Sequence, residues 1–379
     1  MTISTERTLA VTGTPDRSIA AATDEAIIVW RGEQLAFRSM PARIALADDR
    51  GERDRMLASY LEAVEALNPR YTERLARRAG EAGDVFGIEP ATLAADLERF
   101  VLHAETPYYA ALRRYLALVD IEQGDATIAD LWHISRGGTW AHWFGEREVR
   151  EAVRAVTDAT ADASDRDGWQ AAEALLRGAD GSSQIGAAAV HAARATLVGS
   201  PTWVTEELGL GAGDLVPYVD FVAFVRLWRL REAIGELHYE LRLAGDGSGD
   251  GDPALARAYF SGIVGHMTGV SVPEELYLVA LGEGTPFASA RELVVEILAA
   301  DLVDTLEARH GESWWRDPEA RRLTEAVAAS ASVADALAPL GYDALDWRPV
   351  LRQIRTRLIG EMSGYGGPNI TTRAGTRKV

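Results

Sequence analysis

The run Arg226 to Arg242, RLWRLREAIGELHYELR, holds the densest set of groups able to move protons. At helical spacing Trp228, Glu232, Glu236 and Tyr239 fall close to one line, and Arg231 and His238 flank it. Two carboxylates one turn apart repel each other. Burial would then lift one of them toward the range useful for acid–base work near neutral pH. Glu236 or Glu232 is therefore the candidate base or acid. His238, and His191 on a separate helical stretch, are candidate second proton carriers. Arg231 or Arg291 could hold a substrate carboxylate bidentately. The competing reading is a solvated surface helix laced with Glu–Arg pairs.

Aromatic residues make a second signal. Ten tryptophans are present, and Trp132-His133 and Trp140-Ala-His142-Trp143 bracket the turn at Gly137-Gly138. Trp228, Trp203 and Trp143 are candidates to stack on an aromatic substrate, with His142 beside them. Packing in the core is the alternative for each. Other patterns dissolve on inspection. None of the seven histidines lies within four residues of another, so no helix face offers the histidine pair of a zinc hydrolase. Asp48-Asp49 resembles an aspartate-rich magnesium motif, but no second cluster accompanies it, and a helix N-terminus explains it. Asp246 to Asp252 imitates a calcium loop, yet its twelfth position is Arg257 where a carboxylate is required. Gly209-Leu-Gly-Ala-Gly213 has no preceding strand, and no Gly-x-Ser-x-Gly elbow occurs.

Composition narrows the chemistry further. The chain has 379 residues and no cysteine, which removes thiol nucleophiles, disulfides and thiolate metal sites together. Of its 39 basic residues only Lys378 is a lysine, so Schiff-base and P-loop chemistry lack their central residue. With 57 acidic residues the net charge is −18, which makes a nucleic acid a poor partner. No membrane span or signal-peptide core is evident, and a cytoplasmic protein is expected. No metal or cofactor is expected either. The partner would be a small-molecule substrate, and homodimerisation is left open.

These groups need helices to position them. Apolar residues recur at three- and four-residue steps from Asp54 to Ala79, Pro90 to Leu102, Pro107 to Ile121 and Glu146 to Thr157. The pattern continues over Ile185–Leu197, Leu215–Leu243, Pro253–Met267, Ser289–His310, Pro318–Ala329, Ser332–Leu337 and Trp347–Met362. Strand signals are confined to Ala26–Ala36, which reads as a hairpin around Arg31-Gly32. The expected fold is mainly α, a large helical bundle or bowl with at most a small N-terminal β-hairpin. One domain with a central cleft is expected over 26–362, between flexible segments at 1–25 and 363–379.

Several segments carry a family likeness. RLWRLREAIGELHYELRLAG, ARAYFSGIVGHMTGVSVPEELYLVALGEGTPFASAREL, LEARHGESWWRDPEA and LGYDALD together resemble the C-terminal half of the oligoendopeptidase F and thimet oligopeptidase superfamily. ATIADLWHISRGGTWAHWFGEREVREAV is similar to its middle region, and SYLEAVEALNPRYTERL to its N-terminal helices. The resemblance covers roughly residues 50 to 345 and implies a helical bowl with a deep cleft. It also implies a degenerate member. The His-Glu-x-x-His zinc motif is missing, and only the short stretch from Thr160 to Gln184 stands where a longer zinc-bearing segment belongs. The third zinc ligand would fall near Gln184 or Ala188. Ala288 and Glu292 stand in place of cleft tyrosines, and Glu236 in place of a lysine. Without zinc the Lewis acid and its activated water are gone, so peptide hydrolysis is not expected.

Two readings follow. The first is a metal-independent enzyme acting by acid–base chemistry on an amino-acid-derived small molecule. Elimination, isomerisation or imine-type ring closure of the Pictet–Spengler kind would suit it, in bacterial specialised metabolism. The second is a non-catalytic pseudopeptidase that binds a ligand or protein partner. A cavity in which a carboxylate meets a histidine or arginine would favour the first.

Overall fold

The computed structural model describes residues 25–78, 85–136, 185–245, 253–280 and 287–359, and they are mainly helical. The chain opens with β1 (Ile27–Trp30) and β2 (Glu33–Ala36), paired antiparallel with Trp30 opposite Glu33. Their turn has positive φ at Arg31 (51°) and Gly32 (84°), the geometry that matches the twist of the strands. This is the hairpin expected around Arg31-Gly32, and it is the only sheet among the described residues.

Helices α1 (Met40–Leu46), α2 (Arg50–Arg78), α3 (Pro90–Leu118) and α4 (Ile128–Arg136) follow. Next come α5 (Ile185–Ala195), α6 (Pro201–Glu206), α7 (Ala212–Gly245), α8 (Pro253–Thr268) and α9 (Tyr277–Ala280). The last are α10 (Ala288–His310), α11 (Pro318–Ala328), α12 (Val333–Leu337) and α13 (Arg348–Arg355). Capping agrees with the sequence punctuation. Ser200, Asp317 and Ser332 each accept a backbone N–H at the start of α6, α11 and α12. One expectation needs correction: α3 runs unbroken through Pro107 where the sequence suggested two helices. Pro107 lies on the buried face with Phe100, Ala104, Tyr108, Ala111 and Leu112, and that packing offsets the lost backbone hydrogen bond. The expected helix Glu146–Thr157 and the expected flexible segments 1–25 and 363–379, Glu25 apart, fall outside the described residues.

Helix α7 is the axis of the fold, packed against α3, α8, α10 and α13. A stack of rings joins it to α3: Phe224 lies 4.6 Å from Tyr115 and 6.2 Å from Tyr108, near parallel to both. Asp220, 1% exposed, accepts hydrogen bonds from Arg114 and Tyr115 of α3 and from the backbone N–H of Ile359, so it also ties down the segment after α13. On the other flank α5 packs against α10 and α11. Gly186 makes that approach feasible, because a Cβ there would sit 1.8 Å from the Val327 carbonyl oxygen of α11. No helix among the described residues is long and apolar enough to cross a membrane.

Candidate functional site

Residues 100° apart on a helix face different neighbours, and α7 turns its polar residues to two sides. Toward α3 and α8 it presents Arg231, 1% exposed. The Nε of Arg231 donates to the Met267 carbonyl (2.6 Å), and Nη1 donates to that of Val101 (3.3 Å). Its guanidinium also lies 4.5 Å from the Tyr108 ring centroid. His238 shares this side. Burial holds its imidazole below the usual range, and the charge of Glu98 on α3 opposes that.

Toward α10 the helix presents Glu232 and Glu236. Ser289 Oγ, from the first turn of α10, donates to Glu236 Oε2 at 3.4 Å. Burial lifts the Glu232 carboxyl to about 7; Arg229 restrains the rise and Glu292 of α10 adds to it. Glu236 stands well above the carboxylate range, through burial first and then repulsion from Glu232, Glu292 and Glu240. Glu292 is raised as well, by burial and by Glu296, against the pull of Arg229. Glu232 and Glu236 are only half-buried and Glu292 is exposed. Groups that keep accessible surface and yet are poorly solvated line the wall of a recess, whereas packed core groups lose that surface. Three neighbouring carboxyls therefore share fewer than three negative charges near neutral pH.

Next to this cluster a cavity of about 420 Å³ opens between α4, α5, α7, α10 and the end of α13. Its wall is mostly apolar, with Tyr218, Phe221, Val222 and Ile354 prominent, and its charged groups are Arg226, Arg229, Arg357 and Glu296. Arg226 is committed. Nε and Nη2 donate to Glu296 Oε2 at 3.2 and 3.1 Å, and Nη1 donates to Gln353 Oε1. Arg229 connects cavity and cluster, since it lines the one and its charge reaches Glu232 and Glu292 of the other.

The candidates read from sequence thus separate. Glu232 and Glu236 come together as expected. Arg231 spends its donors on backbone carbonyls, so it serves the packing of three helices in place of a substrate. Trp228 and Trp203 are buried, at 2% and 0% exposure, and the same packing withdraws Tyr239, edge-on to Phe260. Arg291 lies over the Phe86 ring (5.0 Å), with the charge of Glu240 acting on it. His191 on α5 is held low by burial and by Arg194. Trp143 and His142 lie outside the described residues. Arg229 and Arg357 escaped the sequence reading, and Glu292 entered it only as the replacement of a cleft tyrosine. The spacing Glu292-x-x-x-Glu296 repeats that of Glu232-x-x-x-Glu236, but only the fold sets the two pairs side by side.

Among the described residues no group of three histidine, aspartate or glutamate side chains has the geometry to hold a metal ion. Comparison with family models, with curated proteins and with solved structures gives no match.

Proposed function

We propose that this chain is an enzyme that carries out acid–base chemistry, without a metal, on an amino-acid-derived small molecule. The observation that supports this most directly is the half-buried pair Glu232 and Glu236, the first raised to about 7 and the second well above the ordinary carboxylate range, beside a cavity of about 420 Å³. A carboxyl near 7 exchanges protons in both directions at physiological pH, which is the requirement for a general acid or base. Glu232, poised at about 7, takes a proton from an acidified C–H or N–H of the substrate in its charged form. In its protonated form Glu236, whose carboxyl is raised well above the ordinary range, delivers its proton to the leaving group or to an imine nitrogen, with Ser289 orienting the carboxyl. One proton enters and one leaves, so the site's charge is unchanged across the step. Elimination, isomerisation and imine-type ring closure all fit this pattern, and specialised metabolism in bacteria is the setting we favour. The resemblance to oligoendopeptidases fits a bowl that kept its hollow and lost its zinc segment.

The test is turnover by the full chain in the presence of a chelator. Amino acids are supplied alone and with a simple aldehyde, and products are read by mass spectrometry. Glu236→Gln is nearly isosteric with the neutral carboxyl it replaces. It should leave stability within about 1 kcal/mol while abolishing turnover. Turnover that survives Glu236→Gln, or stops when the chelator is added, would defeat the proposal. Ligand binding with no turnover of any pairing would favour a binding protein instead.

A further inference from the structure

The geometry points to an apolar molecule carrying a single carboxylate as the occupant of the cavity between α5, α7 and α13, with Arg357 as its anchor. This names the substrate class of the reaction proposed above and rests on that reading, although the binding can be measured apart from any turnover.

Three observations converge. The first is the wall, in which nine aliphatic and aromatic residues, Tyr218, Phe221, Val222, Val225 and Ile354 among them, outnumber six polar or charged ones. About 420 Å³ also falls within the size range of small-molecule pockets. Such a surface favours an apolar body, and a ring or branched chain would bury itself there with no polar group left unpaired.

The second is the account of charge. Arg226 is spent on Glu296 and Gln353, and the charge of Arg229 is met by Glu232 and Glu292. Arg357 is the remainder. Its side chain donates no hydrogen bond to any described residue, and its one electrostatic counterpart is Glu307. Burial, with Arg226 adding like-charge repulsion, pulls its guanidinium down to about 10, as expected of a cation short of an anion. A half-buried guanidinium with open donors matches the fork of a carboxylate bidentately. One guanidinium with open donors matches the two oxygens of one carboxylate, so a carboxylate monoanion fits better than a dianionic phosphate.

The third is the clearance around that guanidinium. Gly199, in the turn after α5, has no side chain to obstruct it. A Cβ there would lie 3.0 Å from Val222 Cγ1 and 3.3 Å from Arg357 Nη1. The glycine keeps the charged end of the cavity open.

Titration calorimetry with three probes tests the inference: 3-phenylpropanoate, its amide 3-phenylpropanamide, and phenyl phosphate. The acid should bind the wild-type chain at least about tenfold more tightly than the amide. Arg357→Gln should erase that preference by weakening the acid alone, and Arg357→Lys should restore part of it. Val222→Phe fills the cavity and should abolish binding of acid and amide alike. It also serves as the deciding variant if Arg357→Gln fails to fold, as judged by circular dichroism. Equal affinity for acid and amide would overturn the inference. So would wild-type affinity in Arg357→Gln, acid binding that survives Val222→Phe, or phenyl phosphate binding more tightly than the acid. Discriminating acid binding by a chain that turns nothing over would fail the acid–base reading and leave this one standing. Turnover with no discrimination between acid and amide would do the reverse.

Discussion

Replacing Arg231 with methionine separates the structural side of α7 from its chemical side. The guanidinium is 1% exposed, donates to two backbone carbonyls at 2.6 and 3.3 Å, and lies 4.5 Å from the Tyr108 ring centroid and 5.6 Å from that of Tyr109. A hydrogen bond from a charged donor is worth about 1.5–3 kcal/mol, and a desolvated cation–π contact about 2 kcal/mol. Methionine recovers part of this by removing the desolvation cost of a buried cation. It also leaves the Met267 and Val101 carbonyls without their side-chain donor. The net loss is expected to be about 3–5 kcal/mol, a large share of the roughly 5–15 kcal/mol that holds a domain together. Urea unfolding followed by circular dichroism reads it as a lower midpoint at unchanged slope. Binding of 3-phenylpropanoate, measured at a temperature where the variant remains folded, should match wild type. A variant that keeps its stability within about 1 kcal/mol and loses carboxylate binding would refute this reasoning and make Arg231 the anchor.

Asp301 on α10 is 1% exposed, and burial, with Asp346 adding repulsion, raises it from its ordinary 3.8 to about 7. The folded chain therefore keeps this proton to higher pH than the unfolded chain does. Its influence lowers stability as pH rises from about 4 to about 7 and is constant above that. At about 1.36 kcal/mol per pH unit the ceiling is about 4 kcal/mol. Asp301→Asn should flatten melting temperature against pH over that window and stabilise the protein above it; an unchanged pH profile would count against the assignment. Gly186→Ala places a methyl 1.8 Å from the Val327 carbonyl oxygen and should cost at least about 2 kcal/mol, read by thermal melting. A neutral effect would mean that α5 and α11 are not so closely apposed.

Much of the fold was legible because long amphipathic helices announce themselves. The apolar steps of Ile185–Leu197 and Ser289–His310 became α5 and α10 nearly residue for residue. The hairpin and the five-residue α12 were legible too, but other short elements were not. α4 and α6 span two turns or so and present too few apolar positions to establish a period, and Pro107 reads as a break because its buried packing is a tertiary fact. The site divided in the same way. A spacing of four residues puts Glu232 and Glu236 on one face whatever surrounds them. Whether that face or the one bearing Arg231 meets the recess depends on which helices pack where. Arg231 and Glu232 are adjacent in sequence, and only the positions of α3 and α10 give one to the core and the other to the site. Arg357 lies well over a hundred residues from Tyr218 and Val222, so no local pattern could have joined them.

Protonation of the carboxyl cluster carries the acid–base assignment most directly. Infrared titration of glutamate carboxyls, with wild type compared against Glu232→Gln, measures it. One band should titrate near 7 and vanish in the variant, with a second carboxyl also raised well above the ordinary range. If every carboxyl absent from the Glu232→Gln spectrum titrates in the ordinary range near 4.5, the recess is well solvated and the acid–base assignment falls.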